Sequence, residues 1–236
     1  MTGRRFETSR RVRLADADPT GRLRLDALAR FLQDIGNDDT ADAGHDASAP
    51  WVTRRTTVRV DTWPRIGERL DITTWCGGIG SHFAERRTTL RSTTGTVEVA
   101  ATWVHVDQVT GRPARLPRWF LDTYEASAAG RRITARLAHD APPEDAVTQP
   151  WPVRWADLDV VGHVNNAAYW APVEEVFAGR LSGRLRAVLE YRKPIDLGER
   201  VELAADGDHL WLIVDGEGRS AAWLDPEGAR DPEQLP

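Results

Sequence analysis

The order of apolar and polar residues predicts one helix followed by several alternating strands. Leu25, Leu28, Phe31, Leu32 and Ile35 keep the three-and-four spacing of a single helical face. Gly36 and Gly44 are both stop signals for that helix, and the pattern leaves its end at either. Beyond it the period changes to two. Val58 and Val60 alternate with Arg59 and Asp61, and Leu70, Ile72 and Thr74 alternate with Asp71 and Thr73. Val97, Val99, Ala101 and Trp103 form the longest alternating run, with Thr93-Thr94-Gly95 as the turn before it. One helix followed by antiparallel strands is an α+β unit, in which the sheet must cover the helix.

The unit occurs twice. VRLADADPTG (12–21) aligns without a gap with VRWADLDVVG (153–162). TWPRIGERLDI (62–72) faces RKPIDLGERVEL (192–203) through a Pro and a Gly-Glu-Arg, and AATWV (100–104) faces SAAWL (220–224). Three matches in one order define a degenerate duplication. The second helix is expected within about 165–180, with Pro172 forcing a kink or a restart, because it lacks a backbone donor. Its strands fall near 186–193, 199–205, 209–215 and 219–224. The expected organisation is a first unit over 1–120, a joining segment over 121–148 and a second unit over 149–236, with a loosely held polar tail from Asp225 onward.

Composition narrows the function. Hydrophobic residues make up 41 % and charged residues 28 % of the 236-residue chain, as in a soluble globular protein. The net charge of −5 gives no global nucleic-acid footprint. Local arginine clusters, Arg10, Arg11 and Arg13 or Arg131 and Arg132, suit either a solvated face or the docking of a small acidic partner. The single cysteine, Cys76, excludes an intrachain disulfide and a Cys-rich zinc site, and fits a reducing cytoplasm. The N-terminus lacks the apolar core of a signal peptide, and no apolar run approaches the roughly 20 residues that span a bilayer. The six histidines show no metal-ligand spacing.

A long helix wrapped by an antiparallel sheet and duplicated in tandem resembles the double hotdog fold. WVTRRTTVRV (51–60), TWPRIGERLDITTW (62–75), Arg86-Arg87, Thr94-Gly95, AATWVHVD (100–107) and RLP (115–117) resemble the first half of acyl-ACP thioesterases. DLDVVGHVNNAAYW (157–170) followed by LEYRKP (189–194) resembles their second half. The resemblance implies a cofactor-free hydrolase acting on a fatty-acyl group carried by acyl carrier protein. A pair of fused hotdogs is compatible with a monomer or a homodimer.

Thioester hydrolysis needs a group that activates water or attacks the carbonyl, donors for the oxyanion, and a slot for the acyl chain. Asp159 and His163 match the Asp and His of the family's site, while Val161 stands where the family has Asn, and Pro194 and Ile195 follow where it has Glu and often Cys. The Asp-x-x-Gly-His arrangement is also similar to single-hotdog acyl-CoA thioesterases. The expected site is therefore a reduced one. Asp159 is base or nucleophile, the N–H groups of Gly162 and His163 face the carbonyl oxygen, and His163 or Asn165 orients water or thioester. Glu174 and Glu175 are candidates for a compensating carboxylate, and Asn166, Leu28, Phe31 and Leu32 for substrate binding. The repeat qualifies this. Asp157, Asp159 and Gly162 recur as Asp16, Asp18 and Gly21, so they build a turn, whereas His163, Asn165 and Asn166 face Arg22, Arg24 and Leu25 and are particular to the second unit. An acyl-CoA or aryl-CoA thioesterase and a non-hydrolytic acyl-binding hotdog protein are the alternative functions.

Overall fold

The computed structural model describes residues 3–45 and 50–225. The first unit comprises β1 (Phe6–Arg11), α1 (Leu25–Asp42), β2 (Trp51–Thr62), β3 (Arg69–Ile79), β4 (Phe83–Arg91) and β5 (Thr96–His105). After α2 (Arg118–Tyr124), the second unit comprises β6 (Thr148–Pro150), α3 (Ala171–Phe177), β7 (Leu185–Tyr191), β8 (Val201–Asp206), β9 (His209–Val214) and β10 (Glu217–Asp225). The strands form one antiparallel sheet in the order β1-β3-β4-β5-β2-β7-β10-β9-β8-β6. Read outward from its centre, the order is the same on both sides. The duplication in sequence is thus a pseudo-twofold in space, and the fold is the tandem hotdog. Its seam is the β2–β7 pair, with Val58 opposite Ala187.

One hydrophobic core runs under both halves. Leu28 and Ile35 of α1, Leu70 and Leu90 of the first half-sheet, and Trp170, Val173, Leu189 and Leu212 of the second unit belong to it. Burying each such side chain contributes roughly 1.5–3 kcal/mol, so the halves stabilise each other. Helix α1 passes through Gly36 and ends before Gly44, which takes φ +76°. A glycine at ordinary helical angles weakens a helix without stopping it, whereas positive φ reverses the chain.

In the second unit the helical stretch is broken. A 3₁₀ turn at Ala168–Trp170 precedes α3, and another at Ala178–Arg180 follows it. Pro172 sits in the first turn of α3, where its missing N–H breaks no helical hydrogen bond, so the chain restarts there rather than kinking. The expected boundary between the first unit and the joining segment, at residues 120 and 121, falls inside α2. Its Trp119, Phe120 and Tyr124 pack over Cys76, Ile79 and Ala84 in a second, smaller core. Farther on, the joining segment straps the outside of the seam, where Glu190 accepts the N–H groups of Ala138 and His139. The expectation for the tail beyond Asp225 lies outside the described residues.

Candidate active site

The two aspartate-rich turns are built alike. Asp16 accepts the N–H of Arg13 at 2.8 Å, and Asp157 accepts that of Arg154 at 2.8 Å. The N–H of Gly21 donates to the Asp18 carbonyl, and that of Gly162 to the Asp159 carbonyl. Both glycines take positive φ, +83° and +92°, which a side chain would strain. Burial pushes the Asp157 carboxyl up, but the donors and charge of Arg154 outweigh it and hold it below its usual value. Asp157 is a turn residue.

The turns differ in what surrounds the second aspartate. Asp18 Oδ1 accepts the Thr20 N–H, the Thr20 hydroxyl and the Arg22 N–H, and its Oδ2 accepts Arg22 Nε at 2.9 Å. Arg22 is buried, lies over the Trp63 ring, and also pairs with Glu174. Glu174 in turn accepts the Leu25 N–H at the start of α1. That pole of the molecule is closed by charge. At the other pole Asp159 accepts one hydrogen bond among the described residues, from the Val161 N–H to Oδ1 at 2.9 Å. Gln33 of α1 stands where the repeat places Glu174 of α3, and it donates to Asn165 Oδ1 at 3.0 Å.

This second pole opens into a cleft of about 730 Å³ between the units. Its walls come from α1, from the inner face of β2 to β5, and from α2, and Asp159, Asn165 and Asn166 stand on the second unit's side. Asn165 Oδ1 accepts the Ala167 N–H as well, while its Nδ2 has no acceptor among the described residues. Asn166 donates its amide to Thr53 at 2.9 Å and accepts the Tyr191 hydroxyl on its carbonyl. The Asn166 N–H, equivalent to the capped Leu25 N–H, has no acceptor among the described residues.

The structure therefore brings together Asp159, Asn165, Asn166 and Leu32, and not the remaining expected residues. Leu28 and Phe31 are core, because their side of α1 faces the interior rather than the cleft. The Gly162 N–H is held by the turn and is not free for a carbonyl oxygen. His163 does not line the cleft; its Nε2 lies 3.5 Å from Asp196 Oδ1, with the ring half-buried and the carboxylate exposed. Glu174 is held by Arg22, and Glu175 is exposed. Of the expected arginine clusters, Arg10 is paired with Asp38, and Arg131 with Glu85. Gln33, Trp51, Arg86 and Tyr124 line the cleft without having been anticipated; for Gln33 the repeat carried the signal, through its match to Glu174. Among the described residues no group of His, Cys, Asp and Glu is placed to hold a metal ion. Among the described residues no helix is long and apolar enough to cross a membrane.

Comparison with known proteins agrees with this architecture. Two solved thioesterases share the fold. An acyl-ACP thioesterase from Bacteroides thetaiotaomicron superposes with a TM-score of 0.80 at 17 % identity, covering 94 % of this chain and 98 % of that one. A 12:0-ACP thioesterase from Umbellularia californica gives 0.77 at 20 %, covering 95 % and 98 %. The class is that of double hotdog thioesterases. The acyl-ACP thioesterase N-terminal domain matches residues 3–124 and the C-terminal domain matches residues 140–220, so the chain belongs to the acyl-ACP thioesterase family. An uncharacterized protein of Mycobacterium tuberculosis is 31 % identical over 227 residues, 93 % of this chain and 91 % of its own length. A chloroplastic palmitoyl-acyl carrier protein thioesterase of Arabidopsis thaliana is 29 % identical over 160 residues, 61 % of this chain and 38 % of that protein.

Proposed function

We propose that the protein hydrolyses acyl-ACP thioesters, releasing the free acid and the carrier protein. The observation that carries this reading is the contrast between the poles. The same turn aspartate is held by four donors at the closed pole and by one at the open cleft. Asp159 is the base or nucleophile. As base it takes a proton from water, whose oxygen attacks the thioester carbonyl carbon; the C–S bond then breaks and the thiolate leaves with a proton. The Asn166 N–H and the Asn165 amide are the available donors for the oxyanion, in place of the Gly162 N–H. Gln33 fixes the Asn165 amide by donating to its Oδ1, which leaves Nδ2 available as a donor. In this reading the first unit and α2 hold the acyl group, the second unit carries the chemistry, and an acidic carrier protein docks at the cleft mouth in the cytoplasm.

Acyl-CoA is the alternative substrate, favoured by the Asp-x-x-Gly-His sequence at 159–163. The test is thiol release from acyl-ACP and acyl-CoA panels by wild type and Asp159→Ala. Release from at least one acyl-ACP, lowered about 100-fold or more in the variant, is expected. Full activity of the variant would refute the site; hydrolysis of acyl-CoA alone would replace the substrate; acyl-ACP binding without hydrolysis would leave an acyl-binding protein.

A further inference from the structure

The cleft is not a plain hydrocarbon slot. Three indoles, Trp51, Trp103 and Trp119, and Phe120 form an aromatic wall. Opposite polar side chains of α1, strand β4 directs Ala84, Arg86 and Thr88 into the same space. Arg86 is fixed from behind. Its Nη1 donates to Asp39 Oδ2 at 2.5 Å, and Asp39 is fully buried and also holds Arg4 Nε at 2.7 Å. Arg4 pairs further with Asp42, so two guanidinium groups and two carboxylates balance. The Nε and Nη2 of Arg86 have no acceptor among the described residues. Gly36 leaves this side of the guanidinium open: a Cβ there would meet only Arg86 Nε, at 3.7 Å.

Tyr124 adds a second unmet group. Its side chain lines the cleft at 2 % exposure. Its hydroxyl is close enough to Thr40 and Arg86 to interact with both, but a hydrogen bond of ordinary geometry forms with neither. An unbranched alkyl chain filling the cleft would cover the free Arg86 donors and the Tyr124 hydroxyl and give them nothing, which disfavours that ligand. A ligand oxygen between them would accept from Arg86 and exchange a hydrogen bond with Tyr124. Because Arg86 is already neutralised by Asp39, an uncharged oxygen suits the site better than a carboxylate.

We propose that the cleft selects acyl groups bearing a hydroxyl or keto oxygen, held by Arg86 and Tyr124 against the indole wall. The proposal rests on the thioesterase reading and specifies its substrate class.

The experiment uses pantetheine thioesters of one medium-chain acid in its plain form and with a hydroxyl or keto group near the thioester, at mid-chain or at the far end. Wild type is expected to show kcat/KM at least about tenfold higher for one oxygenated form than for the plain one. That ratio is expected to fall to near one in Tyr124→Phe, which keeps the ring, and in Arg86→Met, which keeps the stem and leaves Asp39 paired with Arg4. The ratio is taken within each variant, so a general change in activity on the plain thioester does not enter it. A wild-type ratio of one or less, or a ratio unchanged in both variants, would overturn the proposal. If no thioester were cleaved, the hydrolytic reading would fail separately. Binding of the same free acids, read by quenching of the cleft indoles, would then decide: tighter binding of an oxygenated acid, lost in Tyr124→Phe, supports the proposal, and equal or weaker binding sinks it.

Discussion

Asp18 and Asp159 occupy the same turn in the two halves, but the first is locked to Arg22 and the second faces a cleft. Each half also reaches across the pseudo-twofold. Glu174 of α3 caps the first residue of α1, and Gln33 of α1 holds Asn165 ahead of α3. A symmetric pair of hotdogs would present two like clefts. Here one crossing contact has become a buried ion pair, and the other stays neutral and leaves an aspartate accessible.

Replacing these two aspartates should therefore produce opposite phenotypes. Asp159→Ala removes the proposed base or nucleophile and one exposed turn bond, so activity is expected to fall while the unfolding midpoint hardly moves. Asp18→Ala deprives the buried Arg22 of one of its two carboxylates, and is expected to destabilise by about 2–4 kcal/mol with hydrolysis retained. Urea unfolding and thiol release on both variants check this. A stable Asp18→Ala protein would show that Glu174 alone satisfies Arg22.

Gly36 should set the room available to the acyl group. The gapless alignment of the repeats places Phe177 at the equivalent position of α3, and there the ring is buried in the shared core. Gly36→Ala fits beside Arg86 and should stabilise α1 by up to about 1 kcal/mol. Gly36→Phe should fill the cleft as Phe177 fills its counterpart. The measurement is the acyl-length profile of thiol release, with the longest substrates lost first in Gly36→Phe. An unshifted profile would place the acyl chain elsewhere.

The duplication, several of the strands and the turn before the second helix were legible in the sequence, because gapless repeats and period-two runs are local signals. What lies inward at the site was not. Leu28 and Leu32 belong to one apolar stripe, yet Leu28 packs in the core and Leu32 lines the cleft. Spacing assigns a face to a helix but does not say which part of that face meets a sheet. Arg86 was hidden for the opposite reason: alternation assigns polar residues outward, and β4 turns an arginine inward because Asp39 waits for it. The seven-residue α2 is too short to show a period, and its neighbours Pro113 and Pro117 read as loop.

The strap across the seam should hold to unusually low pH. Burial raises the Glu190 carboxyl, but the His139 ring close beside it and the hydrogen bonds from the Ala138 and His139 N–H groups outweigh it and hold it at about 2, against an ordinary 4.5. A folded value below the unfolded one means that the ionised form favours folding. The contribution is full above about 4.5 and is lost as pH falls towards 2. Its size is of the order of 3 kcal/mol. Urea unfolding of wild type and Glu190→Gln should differ most near neutral pH, with the gap closing below about pH 4. A gap independent of pH would mean that packing, not ionisation, holds the strap.

Cys76 supplies a probe of the cleft rather than a nucleophile. Burial pushes its thiol up to about 11, and the side chain is nearly covered although it borders the cleft. At neutral pH only about one molecule in ten thousand carries the thiolate, the form that reacts. Alkylation of the native protein should therefore be at least about 100-fold slower than of the urea-unfolded protein. Because this is the chain's single cysteine, labelling can be counted directly. Each adduct formed on native protein should fill part of the cleft and abolish thiol release in proportion. Cys76→Ala should keep hydrolysis within a few-fold and be immune to the reagent. Loss of hydrolysis in a folded Cys76→Ala protein would instead move the chemistry from Asp159 to the thiol.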